Sequence, residues 1–280
     1  VAFATSRGVR VVPEIDVPGH TGGWREGGGG IVTHCPAYTQ EFQDWGAPLD
    51  PTKTRTMETV RGLFTELADI FPDDVVHIGG DEVAVKCWEE NRAVMDFAMS
   101  NSDINGNLHN VEAWFVRQVI DHVLSLGKRP IVWQDVFDHF VFHPKPGVIH
   151  QTWISKFAFS EHLRKGYDGI LSWGWYLNPG AGQGCSDWKG CYSIEPFRDP
   201  PGYEGNEKSM TSEDKARVIG GECALWEIPA ADLHMALWPR GLAIAERLWS
   251  SADVVDVGEA QGRIEAFMAA LNARLTMLRT

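Results

Sequence analysis

Short apolar, β-branched runs alternate along this chain with longer segments of helical period, and this alternation restricts the fold more than any other feature. Such alternation is typical of βα units around a parallel sheet. Six runs are predicted to be strands: Val9–Ile15, Val75–Ile78, Pro130–Trp133, Val148–Thr152, Gly169–Ser172 and Arg217–Glu222. The periodicity predicts helices over Thr52–Ile70, Trp88–Met99, Leu108–Leu126, Ser160–Lys165, Leu233–Leu248 and Val257–Leu278.

Polar and aromatic residues gather just after several predicted strands, as in Gly79-Gly80-Asp81-Glu82 and Trp133-Gln134-Asp135. In a (β/α)₈ TIM barrel the active site lies at the carboxyl ends of the strands, and eight strands occupy about 250 residues. Six strands cannot close such a barrel. We therefore predict an α/β chain of the TIM-barrel class that lacks the first two strands, with residues 1–280 forming one domain. The long loop Ala181–Ser212 is predicted to wall the site.

Composition excludes several classes of partner. The formal net charge of −13 and the pI near 5.2 argue against nucleic acid, which is bound through clustered Lys and Arg. No stretch approaches the ~20 apolar residues that cross a bilayer, so no membrane partner is predicted, and any targeting segment is expected upstream of Val1. The five cysteines match no zinc pattern, and neither a metal nor a cofactor is predicted.

Twelve tryptophans are the compositional outlier. A flat indole face can pack against the C–H face of a pyranose, so Trp in loops and at strand ends is either a sugar platform or a core anchor. The residues in such places are Trp24, Trp45, Trp133, Trp153, Trp173, Trp175, Trp188 and Trp226.

The adjacent acids Asp81 and Glu82 are the first candidates for chemistry, although three other adjacent acidic pairs occur, at Asp73-Asp74, Glu89-Glu90 and Glu213-Asp214. Only Asp81-Glu82 follows an apolar run and two glycines, which let the backbone bend so that both side chains can face one cleft. Two carboxyls held together raise the pKa of one of them, which suits proton donation in glycoside cleavage. A solvated helix N-terminus is the alternative interpretation.

The segment Val76-His77-Ile78-Gly79-Gly80-Asp81-Glu82-Val83 resembles the signature of family 20 glycoside hydrolases, the β-N-acetylhexosaminidases. Further segments resemble family blocks in family order, as far as about Ser250. They are Val11 to Thr21, Val132 to Asp138, Gly220 to Trp226, and Trp238 to Ser250.

The resemblance implies an exo-acting, retaining enzyme that releases terminal β-linked N-acetylhexosamine, GlcNAc or GalNAc, by substrate assistance. Glu82 is expected to protonate the leaving oxygen while the 2-acetamido oxygen of the substrate attacks the anomeric carbon to form an oxazolinium ion. Asp81 is expected to hold the acetamido N–H and balance the positive charge. Glu82 then activates water as a base.

Other residues receive roles from the same resemblance. Tyr176 matches the tyrosine whose hydroxyl binds the acetamido carbonyl, and His20 matches a histidine in the Asp81 network. The tryptophans that wall the acetamido methyl match Trp133, Trp153 and Trp226.

Two positions depart from the family pattern. Asn178 stands where the family commonly has an Asp that contacts the outer hydroxyls, so the acceptor oxygen is kept and the charge is lost. Glu227 directly follows Trp226, whereas the family usually has one residue between them, and Glu227 is expected to bind the O4/O6 hydroxyls. The substrate-binding arginine of the first strand, and the Asp that partners the histidine, fall outside this chain.

Cys35 and Cys87 fall where some eukaryotic members have a disulfide, which predicts a secreted or lysosomal/vacuolar location. Cys185 and Cys191 could form a second bridge, while Cys223 is predicted to be a buried thiol.

The predicted partners are chitin oligomers or glycoconjugates that end in N-acetylhexosamine, and a second copy of the chain in a homodimer. Two alternatives are a carbohydrate-binding relative without turnover and a chitinase of the related substrate-assisted family. The spaced Asp-x-Asp-x-Glu motif of that chitinase family does not occur in the chain.

Overall fold

A computed structural model describes residues 1–27, 29–139, 144–178, 184–201, 209–226 and 228–277. The chain divides into two compact units, Val1–Gln151 and Thr152–Thr280. The prediction of one barrel domain over residues 1–280 stays a prediction. None of the described helices is long and apolar enough to span a membrane.

The first unit is built on parallel strands. Strand β1 (Val75–His77) pairs with β2 (Arg129–Trp133), and β2 pairs with β3 (Ile149–Thr152). The helices are α1 (Ala2–Thr5), α2 (Gln40–Trp45), α3 (Thr54–Ile70), α4 (Val85–Glu89), α5 (Arg92–Ser100), α6 (Leu108–Ser125) and α7 (Asp135–Asp138), with a 3₁₀ turn at Gly22–Trp24. Buried Val76, Ile78 and Val132 pack with α6 residues such as Phe115 and Val119, and this apolar core fixes the carboxyl ends of β1 and β2.

The second unit holds the parallel pair β4 (Asp168–Leu171) and β5 (Val218–Gly221), with an irregularity between Gly169 and Ile170. Its helices are α8 (Lys156–Arg164), α9 (Trp188–Tyr192), α10 (Ser212–Ala216), α11 (Leu233–Leu237), α12 (Arg240–Trp249) and α13 (Val257–Met277). The core contains the fully buried Trp175, one of the loop tryptophans, which is therefore a core anchor.

The predicted strand Val9–Ile15 is wrong. Glu14 forms only an isolated bridge to His77, next to hydrogen bonds from the His77 N–H to the Pro13 carbonyl and from the Ile15 N–H to the His77 carbonyl. Because Pro13 has no N–H, it cannot extend a ladder. The other five predicted strands match β1 to β5 within one or two residues.

Two predicted helices are each broken into two. Trp88–Met99 is interrupted at Asn91, whose side chain accepts the N–H groups of Ala93 and Val94 and so caps α5. Leu233–Leu248 is interrupted where Pro239 follows Trp238, since proline has no N–H for the helical ladder. In the predicted loop 181–212, residues 184–201 contain the short helix α9, and residues 181–183 and 202–208 lie outside the described part.

Candidate active site

The backbone after β1 is shaped by two glycines. Gly79 and Gly80 have φ of +70° and +95°, a region that favours glycine. A Cβ on Gly79 would lie 1.9 Å from Oδ1 of Asp16, and one on Gly80 would lie 2.6 Å from Cγ2 of Val136. Both positions therefore exclude larger residues, and the bend carries Asp81 and Glu82 out of the strand toward the segment that follows Glu14.

Asp16 and Asp81 form a carboxyl pair. Oδ1 of Asp16 accepts the Gly80 N–H at 2.8 Å, and the Asp16 and Asp81 side chains are hydrogen-bonded to each other. Two carboxyls can share a hydrogen bond only when one of them carries a proton. The close approach of the two carboxyls therefore disfavours the state in which both are ionised.

Both carboxyls of the pair have raised pKa values. Burial, and then the neighbouring Asp81 charge, raise the pKa of Asp16 well above its ordinary value. Burial also raises the pKa of Asp81, but the hydrogen bond from Asp16 and the nearby His20 oppose that rise. These directions favour a proton on Asp16 and a carboxylate on Asp81.

Glu82 is the accessible acid of the group. Its side chain is 55% exposed, against 17% for Asp81. Burial, and then the charge of Asp81, raise the pKa of Glu82, so it keeps its proton to a higher pH than an isolated glutamate. Glu82 has a left-handed φ of 46°, and its N–H donates to Oδ1 of the buried Asp135 at 3.4 Å.

His20 joins these acids. Its Nε2 lies 3.9 Å from Oδ2 of Asp16, 3.7 Å from Oδ2 of Asp81 and 3.6 Å from Oε2 of Glu82. Its φ of 53° is also left-handed. Non-glycine residues in this region cost on the order of 1–3 kcal/mol and cluster at functional sites. Strained His20 and Glu82 thus face each other.

Trp133 contacts Glu14 and His77. The indole Nε1 donates to Oε1 of Glu14 at 2.9 Å, and the indole lies 4.9 Å from the His77 ring. Nδ1 of His77 accepts the Gly79 N–H at 3.0 Å, and burial lowers the pKa of His77 to about 3. His77 is therefore neutral, and Trp133, at 3% exposure, is fixed in place.

The remaining predicted site residues belong to the second unit. Tyr176 is buried, and its ring centroid lies 6.3 Å from that of Trp153. Asn178 accepts the Trp226 N–H at 3.0 Å and donates its amide to the Trp226 carbonyl. Asn178 thus fixes the backbone of the half-exposed Trp226. Glu227 lies outside the described residues.

Both suggested disulfides are present. Cys35 and Cys87 are joined with Cα atoms 5.0 Å apart, and Cys185 and Cys191 with Cα atoms 5.1 Å apart. Cys223 is a free, partly buried thiol.

Asp16, Asp135 and Glu14 are site residues to which the sequence had assigned no role. Each lies in a quoted block that also holds a predicted site residue, His20 or Trp133, and at the end of a predicted strand. These are the signals that could have singled them out. Asp16, His20 and Asp81 also offer three ligand atoms within 4.8 Å of one another. A cation there would need both carboxyls in their ionised form, which their raised pKa values oppose, and the absence of a metal stays a prediction.

Solved structures with a similar fold include glycosidases. An exo-β-N-acetylglucosaminidase from Vibrio harveyi, solved with N-acetylglucosamine, has a TM-score of 0.80 and 24% identity, covering 98% of this chain and 44% of its own. A chitobiase from Flavobacterium johnsoniae has a TM-score of 0.77 and 26% identity over 95% of this chain and 39% of its own. The predicted TIM-barrel fold is confirmed by these likenesses.

The sequence profile of glycosyl hydrolase family 20, catalytic domain, matches residues 1–252, and the chain belongs to that family. Among curated relatives, β-hexosaminidase subunit beta of Mus musculus is 37% identical over 94% of this chain and 47% of its own length. Subunit alpha of Bos taurus is 35% identical over 98% of this chain and 51% of its own length. The chain thus spans about half the length of the curated relatives it matches.

Proposed function

We propose that the protein is an exo-acting, retaining β-N-acetylhexosaminidase that releases terminal β-linked GlcNAc or GalNAc by substrate assistance. The observation that carries the proposal is that the neighbouring acids differ in exposure and have raised pKa values. A partly buried acid, Asp81, lies beside Asp16, whose pKa is raised well above its ordinary value, and beside an exposed acid, Glu82, whose pKa is also raised.

In the first step, Glu82 gives its proton to the glycosidic oxygen as the bond from that oxygen to C1 breaks. The carbonyl oxygen of the 2-acetamido group forms a bond to C1 from the opposite face. Asp81 accepts the acetamido N–H and balances the positive charge of the oxazolinium ion. Holding this internal nucleophile in place is worth roughly 7–11 kcal/mol in well-oriented cases.

In the second step, water attacks C1 as the bond from C1 to the acetamido oxygen breaks, which restores the acetamido group. The water gives a proton to the Glu82 carboxylate, so the acid and the original anomeric configuration are restored. Because the first step needs protonated Glu82, turnover is expected to fall as the pH rises through the elevated pKa of Glu82. It is expected to fall on the acid side as Asp81 becomes protonated.

The roles proposed for the second-unit residues rest on the family motif. Tyr176 would bind the acetamido carbonyl, and Trp153 and Trp226, like Trp133, would contact the acetamido methyl. Asn178 would contribute by placing Trp226, because its amide is bound to the Trp226 backbone. Glu227 remains the candidate for the O4/O6 hydroxyls.

The test is hydrolysis of aryl β-N-acetylglucosaminides by the full-length protein and its Glu82→Gln variant. We expect turnover by the wild type, and a loss of about 10²–10⁴-fold in the variant on poor leaving groups. On activated aryl groups, which need less protonation, the loss should be smaller. Equal losses on both would contradict the acid role, and binding without any wild-type turnover would favour a carbohydrate-binding relative.

We also propose a secreted or lysosomal/vacuolar location, which the two disulfides support because such bonds persist in oxidising compartments. The curated relatives are named as subunits, which supports assembly into an oligomer, and we propose a homodimer.

A further inference from the structure

A ladder of aromatic rings leads to His20 from the segment that follows it. Tyr38 stacks on Phe42 with ring centroids 4.2 Å apart, and Phe42 meets Trp45 edge-on at 5.4 Å. Trp45 in turn stacks on the imidazole of His20, with centroids 5.6 Å apart and planes inclined by 18°. The ladder therefore ends on the side chain whose Nε2 is 3.6 Å from Glu82.

Trp45 is half exposed, at 50%, although the residues that follow it, Gly46 to Asp50, are buried. One indole face is covered by His20, so exposed apolar surface lies one ring away from the acid. Trp45 does not fill the core. The tryptophans Trp88 and Trp175 fill it, and both are fully buried. An exposed indole beside polar groups is the surface on which a pyranose packs.

The segment that carries Trp45 is linked to the part of the chain that follows Asp81 and Glu82. The Cys35–Cys87 disulfide joins it to α4, and the indole Nε1 of buried Trp88 donates to the carbonyl of Leu49 at 3.0 Å. These two links bracket Trp45 in sequence. An aromatic side chain on a restrained segment loses little conformational freedom when a ligand covers it.

We propose that Trp45 is the platform for the leaving group, and that it selects substrates in which a pyranose ring follows the scissile bond. The proposal rests on the proposed function. Glu82 must contact the glycosidic oxygen, so the sugar beyond that oxygen lies on the Glu82 side of the departing bond. On that side, the imidazole of His20 contacts both Glu82 and the indole of Trp45. The C–H face of the second sugar stacks on the exposed indole.

The experiment compares two substrates in the full-length protein. N,N′-diacetylchitobiose has a sugar leaving group, whereas β-N-acetylglucosaminyl fluoride has the same glycone and no leaving-group ring. Trp45→Ala is expected to lower kcat/KM on the disaccharide roughly tenfold and to change it less than about twofold on the fluoride. Trp45→Phe, which keeps a ring, should recover most of the loss.

Two controls separate stacking from damage to His20. Affinity for a thiazoline mimic of the oxazolinium ion, which occupies only the glycone side, should be unchanged in Trp45→Ala. Phe3→Ala removes an aromatic ring that is 73% exposed in α1 and should alter neither substrate. Equal losses on both substrates, or no loss on the disaccharide, would overturn the platform. If the wild type cleaves neither substrate, the proposed function itself fails.

Discussion

A pair of adjacent acids lies at each end of strand β1, and the pKa of Asp73 is shifted in the opposite direction to those of Asp81 and Glu82. Before the strand, Asp73 receives two hydrogen bonds of 2.6 Å from the Arg10 guanidinium, which lower the pKa of Asp73 to about 2. After the strand, the pKa values of Asp81 and Glu82 are raised by burial. Sequence adjacency is the same, so the partners decide the chemistry.

The difference lies in the supply of positive charge. Within the described residues, His20 is the only basic side chain that pairs with Asp81 or Glu82. At the carboxyl end of the strand, Asp81 is instead bound to another acid, Asp16. An acid paired with arginine is fixed in its ionised form, whereas acids packed together hold protons that can be transferred. This separation agrees with the barrel rule that chemistry lies at the carboxyl ends of the strands.

The largest expected effect is that of Asp81→Asn. The amide cannot balance the oxazolinium charge, so we expect kcat to fall about 10²–10³-fold, the usual cost of one preorganised electrostatic contact. The thiazoline mimic should also bind more weakly, which an inhibition constant measures directly. Unchanged affinity for that mimic would contradict the role given to Asp81.

Glu112 is a further acid with a raised pKa, and its effect is expected on stability. It is 2% exposed on α6, and burial, then the charge of Asp135, raise its pKa to about 8 from the ordinary 4.5. The folded protein therefore keeps a proton that the unfolded chain releases, so its stabilising contribution is full below pH 4.5 and is lost as the pH rises through 8.

Glu112→Gln should remove this loss, because the amide never ionises. Relative to the wild type, the variant should gain on the order of 2–4 kcal/mol of unfolding free energy between pH 5 and pH 8, since one pKa unit is about 1.4 kcal/mol. Urea unfolding at both pH values measures the difference. Glu58→Gln, at an exposed position of α3, serves as the control and should show no such gain.

Asp16→Asn tests where the shared proton resides. An asparagine can still accept the Gly80 N–H and donate to Asp81, so if Asp16 is normally protonated, kcat/KM should fall by no more than about tenfold. Asp16→Ala, which loses both bonds, should fall further. A loss in Asp16→Asn as large as in Asp81→Asn would place the negative charge on Asp16 instead.

The sequence predicts local features better than distant partnerships. The long periodic segments predicted the ends of α3 and α6 to within two residues, because a helical face depends on neighbours three or four positions away. The family motif singled out Asp81, Glu82 and His20. It could not show that Gly80 is bound by Asp16, 64 positions away, or that Trp133 is bound by Glu14, 119 positions away.

The smallest expected effect is at the opposite end of β1. Asp73→Asn should leave kcat unchanged and lower the unfolding free energy at pH 7 by about 1 kcal/mol, a modest value because Arg10 is 70% exposed. Since the pKa of Asp73 is depressed to about 2, the stabilisation is present above the unfolded pKa of about 3.9 and is lost as the pH falls through 2. Wild type and variant should therefore converge in urea unfolding near pH 2.

Asp74→Asn, which removes a single 3.1 Å contact to Arg10 at an exposed position, is the matched control and should lower the unfolding free energy less. If Asp73→Asn instead lowered kcat without lowering stability, the contrast between the two ends of the strand would be wrong, because the acid paired with arginine would then belong to the chemistry.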